Sequence, residues 1–274
     1  MKFSFSTLAC PSWDLDRIIE YGVKYAYHYL ELRFINNVCE LEKMPELSPK
    51  NIFQTLQKIK RAGLEVVSLD SSVHLHSDND ADWNKNLEQA KQYIDAAQIL
   101  EAKYIRVFPN QIPHGKDREW TLKRIAQGLT ELGPLAIRKG VRVALETHGD
   151  FCDTVSIRKI MEQVNHAGVG VLWDAHHPYR FCKEDFSTSY MNLKKYLCFI
   201  HLKDSRGEPP QHRLHLLGEG DIPFRNLCRL LKENDYEGVL GEEFEKAWHP
   251  YAAEPEIGIP HFIRTIRSYF SINQ

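Results

Sequence analysis

Four stretches decide how this chain folds: VALETHGDF (143–151), VGVLWDAHHPYR (169–180), FIHLKDSRG (199–207) and GVLGEEFEKAWHP (238–250). Each carries an apolar run of strand type that finishes in an ionisable residue: Glu146, Asp174, His201 and Glu243. Those residues are 28, 27 and 42 positions apart, and each interval has room for one helix and the next strand. The pattern predicts neighbouring parallel strands joined by crossover helices, with four functional side chains delivered to one rim.

Working outward, eight such strands are predicted, over residues 3–9, 27–33, 65–70, 104–109, 142–146, 168–174, 198–202 and 238–243. Segments of helical apolar spacing separate them. Ser48-Pro49 is read as a helix opening, Ala62-Gly63 and Lys139-Gly140 as helix ends, and 117–139 as a long helix before the fifth strand. No Ser/Gly linker, low-complexity tract or short repeat interrupts the rhythm, so residues 1–274 are read as a single domain. Eight alternations build either a closed barrel or an open doubly wound sheet. The open sheet usually shows a glycine-rich phosphate turn after its first strand, which this chain lacks. The fold predicted is therefore α/β, a single (β/α)8 TIM barrel, whose active residues should gather at the carboxyl ends of the strands. Residues 205–223, with Gly207, Pro209, Pro210, Gly218 and Gly220, read as a long functional loop after strand seven.

Composition narrows the class. A formal charge of -2 gives no electrostatic footprint for nucleic acid or an anionic membrane. No stretch approaches the roughly 20 apolar residues of a membrane helix, and the amino terminus lacks a signal-peptide run, so a cytoplasmic protein is expected. Six cysteines (Cys10, Cys39, Cys152, Cys182, Cys198, Cys228) occur without any CxxC pair, so reduced packing residues are expected rather than a disulfide framework or thiolate zinc site.

An isolated acid at a strand end is more often a helix cap or a partner for Lys or Arg. Four charged groups in successive units are different, because carboxylates gathered in one mouth repel unless a cation or proton joins them. Three carboxylates and one imidazole suit one divalent metal ion, Mn²⁺, Mg²⁺ or Co²⁺ ahead of a thiolate-loving metal, with Zn²⁺ also compatible.

The segments ALETHG (144–149), LWDAHHP (172–178), HLKDS (201–205), LGEGDIPF (217–224) and EFEKAWHP (243–250) resemble the xylose isomerase-like barrel superfamily of sugar isomerases and epimerases, over essentially the whole chain. The resemblance implies Glu146, Asp174, His201 and Glu243 as metal ligands, selecting Glu243 over Glu242 and Glu245. It implies Glu146 and Glu243 as the acid/base pair that moves a carbon-bound proton through an enediolate. It also implies His177, in the Asp-x-x-His spacing from Asp174, as a substrate-binding residue. Lys203 and Arg206 are further substrate-binding candidates; Lys203 alternatively pairs with Asp204, and Arg206 alternatively lies exposed. Arg106 and Glu31 are read first as members of ion pairs, Glu31 with Arg33 or Arg106. His74, His76 and His176 are read as loop residues, and the aromatics Trp13, Phe108, Trp173, Tyr179 and Trp248 are given no role. The expected activity is a metal-dependent isomerase or epimerase of a ketose, ketose phosphate or related polyol ketone. The alternative is a dehydratase of a keto-polyol or dehydroshikimate-like substrate. An apurinic endonuclease-like hydrolase is disfavoured by Leu214, which falls where that family needs a metal histidine; a non-catalytic sugar-binding barrel is the remaining rival. The expected partners are a small sugar or polyol ketone and, by resemblance, further copies of the chain, although no segment identifies an interface.

Overall fold

The computed structural model describes residues 1–271 of the 274-residue chain. Its first half runs β1 (Lys2–Ser6), α1 (Leu15–Lys24), β2 (Tyr29–Leu32), α2 (Ile52–Arg61), β3 (Glu65–His74), α3 (Asp80–Ile99), β4 (Tyr104–Phe108) and α4 (Arg118–Arg138). The second half runs β5 (Arg142–Glu146), α5 (Thr154–Val164), β6 (Val169–Asp174), α6 (His176–Cys182), α7 (Phe186–Leu193), β7 (Leu197–Leu202), β8 (Asp204–Arg206), β9 (Arg213–His215), α8 (Phe224–Glu233), β10 (Val239–Glu242) and α9 (Pro255–Ser271). Eight parallel strands close in the order β1-β10-β7-β6-β5-β4-β3-β2, which is the expected TIM barrel.

Aspartate and asparagine side chains start five of the helices: Asp14, Asn79, Asp117, Asp153 and Asp185 each accept a backbone N–H from the third residue on. The glycine ends are as expected, with Gly63 at φ 76° and Gly140 at φ 71° following the last turns of α2 and α4. Ser48-Pro49 does not open α2. A 3-10 turn over Pro45–Leu47 ends just before this dipeptide, the Ser48 carbonyl accepts from Asn51 and Ile52, and the helix begins only at Ile52.

Strand alternation divides the core in two. Tyr29, Val67, Ala144, Leu172, Phe199 and Val239 form one buried cluster. Intervening side chains such as Leu30, Leu69, Leu145, Trp173, Ile200 and Leu240 pack in the larger cluster with the helices. Cys152 and Cys182 are not scattered in space: their Sγ atoms lie 2.7 Å apart, between the loop after β5 and α6. Among the described residues no helix is long and apolar enough to cross a membrane.

Residues 205–223 are more ordered than a loop. β8 and β9 pair as an antiparallel hairpin, and Asp204 accepts N–H groups of Ser205 and Gly218 at 2.8 Å and of Gly220 at 3.1 Å. Asp204→Ala would orphan these donors together, so a stability loss of about 2–4 kcal/mol is expected in denaturant unfolding, with Asp204→Asn losing less. A loss below about 0.5 kcal/mol for Asp204→Ala would show that water replaces the carboxylate there.

Candidate metal centre and active site at the carboxyl rim

Because side chains alternate along a strand, the residues two beyond Ala144, Leu172 and Phe199 also face the barrel axis. These are Glu146, Asp174 and His201. Glu243 joins them because its N–H donates to the Leu202 carbonyl at 3.2 Å, carrying the β10–β7 ladder one residue past the strand end. Potential ligand atoms of Glu146, Asp174, His201 and Glu243 all lie within 4.8 Å of one another, and all four residues are buried. Glu242 points the other way, into the layer toward α9, where burial pushes its carboxyl up to about 8 and Tyr27 Oη lies 3.3 Å from Oε2.

His201 is held by a carboxylate that the sequence reading assigned elsewhere. Its Nε2 lies 2.6 Å from Glu31 Oε2, while Nδ1 faces Glu243 Oε2 at 3.3 Å. Glu31, on β2, is also bonded by Ser4 Oγ. It pairs with neither Arg33 nor Arg106. Gly241 makes room for it, since a Cβ there would come within 2.1 Å of Glu31 Oε1. A carboxylate accepting the Nε2 proton fixes the ring and directs Nδ1 at the other three ligand candidates.

Two cations complete the rim. Arg106, inward on β4, donates Nη1 to Glu243 Oε1 at 2.7 Å and lies 3.3 Å from Glu146 Oε2. Lys203 Nζ approaches Asp174 Oδ2 at 2.6 Å, Glu243 Oε2 at 2.9 Å and Glu245 Oε1 at 2.6 Å. Lys203 therefore pairs with three acids and not with Asp204. Burial pushes the Glu146 carboxyl well up, reinforced by Glu243. Burial raises Asp174 to about 6. For Glu243 burial acts upward as well, but Lys203, His201 and Arg106 outweigh it and hold the carboxyl well below its usual range.

His177 lies beside this group, with Nδ1 2.7 Å from the Thr147 carbonyl and 3.4 Å from Asp174 Oδ2. Burial, aided by Lys203, lowers it to about 3, so the ring is neutral and its Nδ1 donates to Thr147. Arg206 does not join the site: it is exposed and donates to the Glu219 carbonyl at 2.7 Å, tying down the hairpin. Neither His176 nor His74 lies in a loop: His176 is buried in α6 and bonds Ser205 Oγ on β8 at 2.9 Å, and His74 ends β3 with Asp82 3.4 Å away. The Glu31–His201 contact was not read from the sequence, and Glu245, set aside there as a ligand, holds Lys203. The period-two pattern Tyr29, Glu31, Arg33 was the available signal for the first.

The donor set fits a divalent ion. Glu146 Oε2, Asp174 Oδ2 and His201 Nδ1 are buried and receive no well-angled hydrogen bond, although Arg106 and Lys203 come near the two oxygens. Unpartnered atoms converging from three neighbouring strands, beside Glu243 held by Arg106 and Lys203, are the expected arrangement for a ligand shell.

The family model of the xylose isomerase-like TIM barrel matches residues 19–267. The chain belongs to this family. Among curated relatives, an inosose dehydratase of Clostridium perfringens is 31% identical over 57% of this chain, and the match covers 54% of that protein, about half its length. An inosose isomerase of Bacillus velezensis is 23% identical over 94% of this chain and 93% of its own. Among solved structures, the IOLI protein with a bound zinc atom superposes with a TM-score of 0.81 at 20% identity, covering 98% of this chain and 96% of its own. A probable 3-DHS dehydratase from Bacillus anthracis superposes with a TM-score of 0.77 at 18% identity, covering all of both chains. At these identities the structural likeness concerns the fold.

Proposed function

We propose that this chain is a divalent-metal-dependent enzyme that enolises a ketose, ketose phosphate or related polyol ketone, acting as an isomerase or epimerase. The observation that carries the reading is the buried group Glu146, Asp174, His201 and Glu243 converging at the carboxyl rim, with Glu146 Oε2, Asp174 Oδ2 and His201 Nδ1 left without a hydrogen-bond partner among the described residues. When bound there, a divalent cation supplies Lewis-acid stabilisation of negative charge on substrate oxygens. Glu146 and Glu243 flank the position where the ketone would lie: one takes the carbon-bound proton and the other returns it. Arg106, reaching both glutamates, keeps their carboxylates in fixed relation. His177 donates Nδ1 to Thr147 and so keeps Nε2 as an acceptor for a substrate hydroxyl. His177→Ala should raise KM about tenfold with little change in kcat, as for one lost hydrogen bond; unchanged kinetics would return His177 to a packing role.

A dehydratase is the second reading, supported by the inosose dehydratase relatives. The same enolate loses water when a hydroxyl stands β to the deprotonated carbon, so the two readings share a site and differ in substrate. The test strips the protein with a chelator, restores Mn²⁺, Co²⁺ or Zn²⁺, and identifies products from ketoses, ketose phosphates, inososes and dehydroshikimate by NMR. Activity should vanish on stripping and return with metal, and an epimer or isomer rather than an enone should form. Full activity in stripped protein would overturn the metal-dependent reading.

A further inference from the structure

The rim opens on a cavity of about 290 Å³ lined by Arg33, Arg106, Phe108, Glu146, Glu243 and Trp248 among others. The buried cations at this end of the barrel are not alike. Arg106 lies 2.7 Å from Glu243 and Lys203 lies 2.6 Å from Asp174, while Arg180, buried below the hairpin, is paired with Asp221. Arg33 is only 5% exposed, yet among the described residues no carboxylate oxygen lies within the 4 Å ion-pair range of its guanidinium. Its bonds are to the Cys39 and Asp70 carbonyls at 3.4 and 3.3 Å and to Ser72 Oγ at 2.7 Å. Two of the three are long neutral contacts. Beside it, Trp248 packs edge-on against Phe34 at 5.5 Å and stands 54% exposed.

A guanidinium removed from water without an anionic partner is costly, and its planar fork matches a carboxylate or phosphate through two parallel hydrogen bonds. We propose that Arg33 binds an anionic oxygen group of the substrate, a carboxylate or a phosphate, so that the enzyme takes an acid sugar or a sugar phosphate in preference to a neutral ketose. The inference rests on the enolising site proposed above. Arg33 would then anchor the end of the substrate away from the reacting carbon, where binding energy from a remote group contributes to orientation at the glutamates.

The test uses the Mn²⁺-loaded full chain and its Arg33→Gln and Arg33→Lys variants. Inorganic phosphate and glycolate are titrated calorimetrically, and deuterium exchange is followed for matched pairs: fructose with fructose 6-phosphate, and fructose with fructuronate. Arg33→Gln should weaken one of the two anion probes at least tenfold, with Arg33→Lys between the two. Mn²⁺ affinity should stay within twofold of wild type, reporting an intact fold and metal site. The probe that responds distinguishes phosphate from carboxylate, and the charged member of that pair should exchange faster than its neutral counterpart. Equal probe binding by wild type and Arg33→Gln, or exchange of the charged substrate that is no faster than that of the neutral one and that Arg33→Gln leaves unchanged, would overturn the proposal. Absence of exchange with every ketone would instead overturn the enolising reading, and Arg33-dependent anion binding would still be read in the calorimeter.

Discussion

Glu243→Gln is expected to lower kcat by about three orders of magnitude, the scale of a lost acid/base group, while the barrel stays folded. The substitution keeps the shape of the side chain but removes a charge that Arg106 meets at 2.7 Å and Lys203 at 2.9 Å. Neither cation is then abandoned. Arg106 retains Glu146 at 3.3 Å, and Lys203 retains Asp174 and Glu245 at 2.6 Å each. The stability cost should therefore be moderate, about 1–3 kcal/mol, and separable from the catalytic loss by a denaturant melt. Glu146→Gln should behave alike, and the double variant should be little worse than either single one, because the two act as a unit. A fully active double variant would end the mechanism.

The second large effect is expected at His201. His201→Ala removes a proposed ligand and leaves Glu31 buried with only Ser4 Oγ for a partner, since Glu31 is itself fully enclosed. Stripping one partner from a buried pair costs about 3–5 kcal/mol, and metal affinity should fall by at least about 100-fold. Glu31→Gln keeps the imidazole but weakens the bond that orients it, for which a loss of about 10–100-fold in metal affinity is expected. Chelator competition and metal analysis of dialysed protein read both. Stoichiometric metal retained by His201→Ala would remove His201 from the ligand set.

Much of the barrel was legible because its signals are local. A strand that ends apolar-x-acid, as in Ala144-Leu145-Glu146, states at once which residues face the helices and which face the axis. Glu146, Asp174 and His201 could be picked out because each ends an apolar run, whereas Glu243 was chosen over its neighbours Glu242 and Glu245 by the family resemblance. What escaped the sequence depends on distances along the chain that no period reports. Glu31 and His201 are 170 residues apart and meet because barrel closure leaves only β1 and β10 between β2 and β7. Gly241, invisible as a functional residue, admits that contact. The hairpin β8–β9 escaped because three-residue strands carry too few side chains to show alternation, and its anchor is a set of backbone N–H groups on Asp204. Arg206 was drawn toward the substrate by its nearness to His201 in sequence, but the hairpin turns it outward.

The most direct test is proton exchange at carbon. The purified, Mn²⁺-loaded protein is incubated in D₂O with ketoses, ketose phosphates, acid sugars and inososes, and deuterium incorporation is followed by NMR. Metal-dependent incorporation at the carbon beside the carbonyl of one substrate class, lost in Glu243→Gln, is the result expected here. Tight stoichiometric metal with no exchange in any ketone would contradict enolisation, and failure to bind a divalent metal at all would contradict the reading of Glu146, Asp174, His201 and Glu243 as one site.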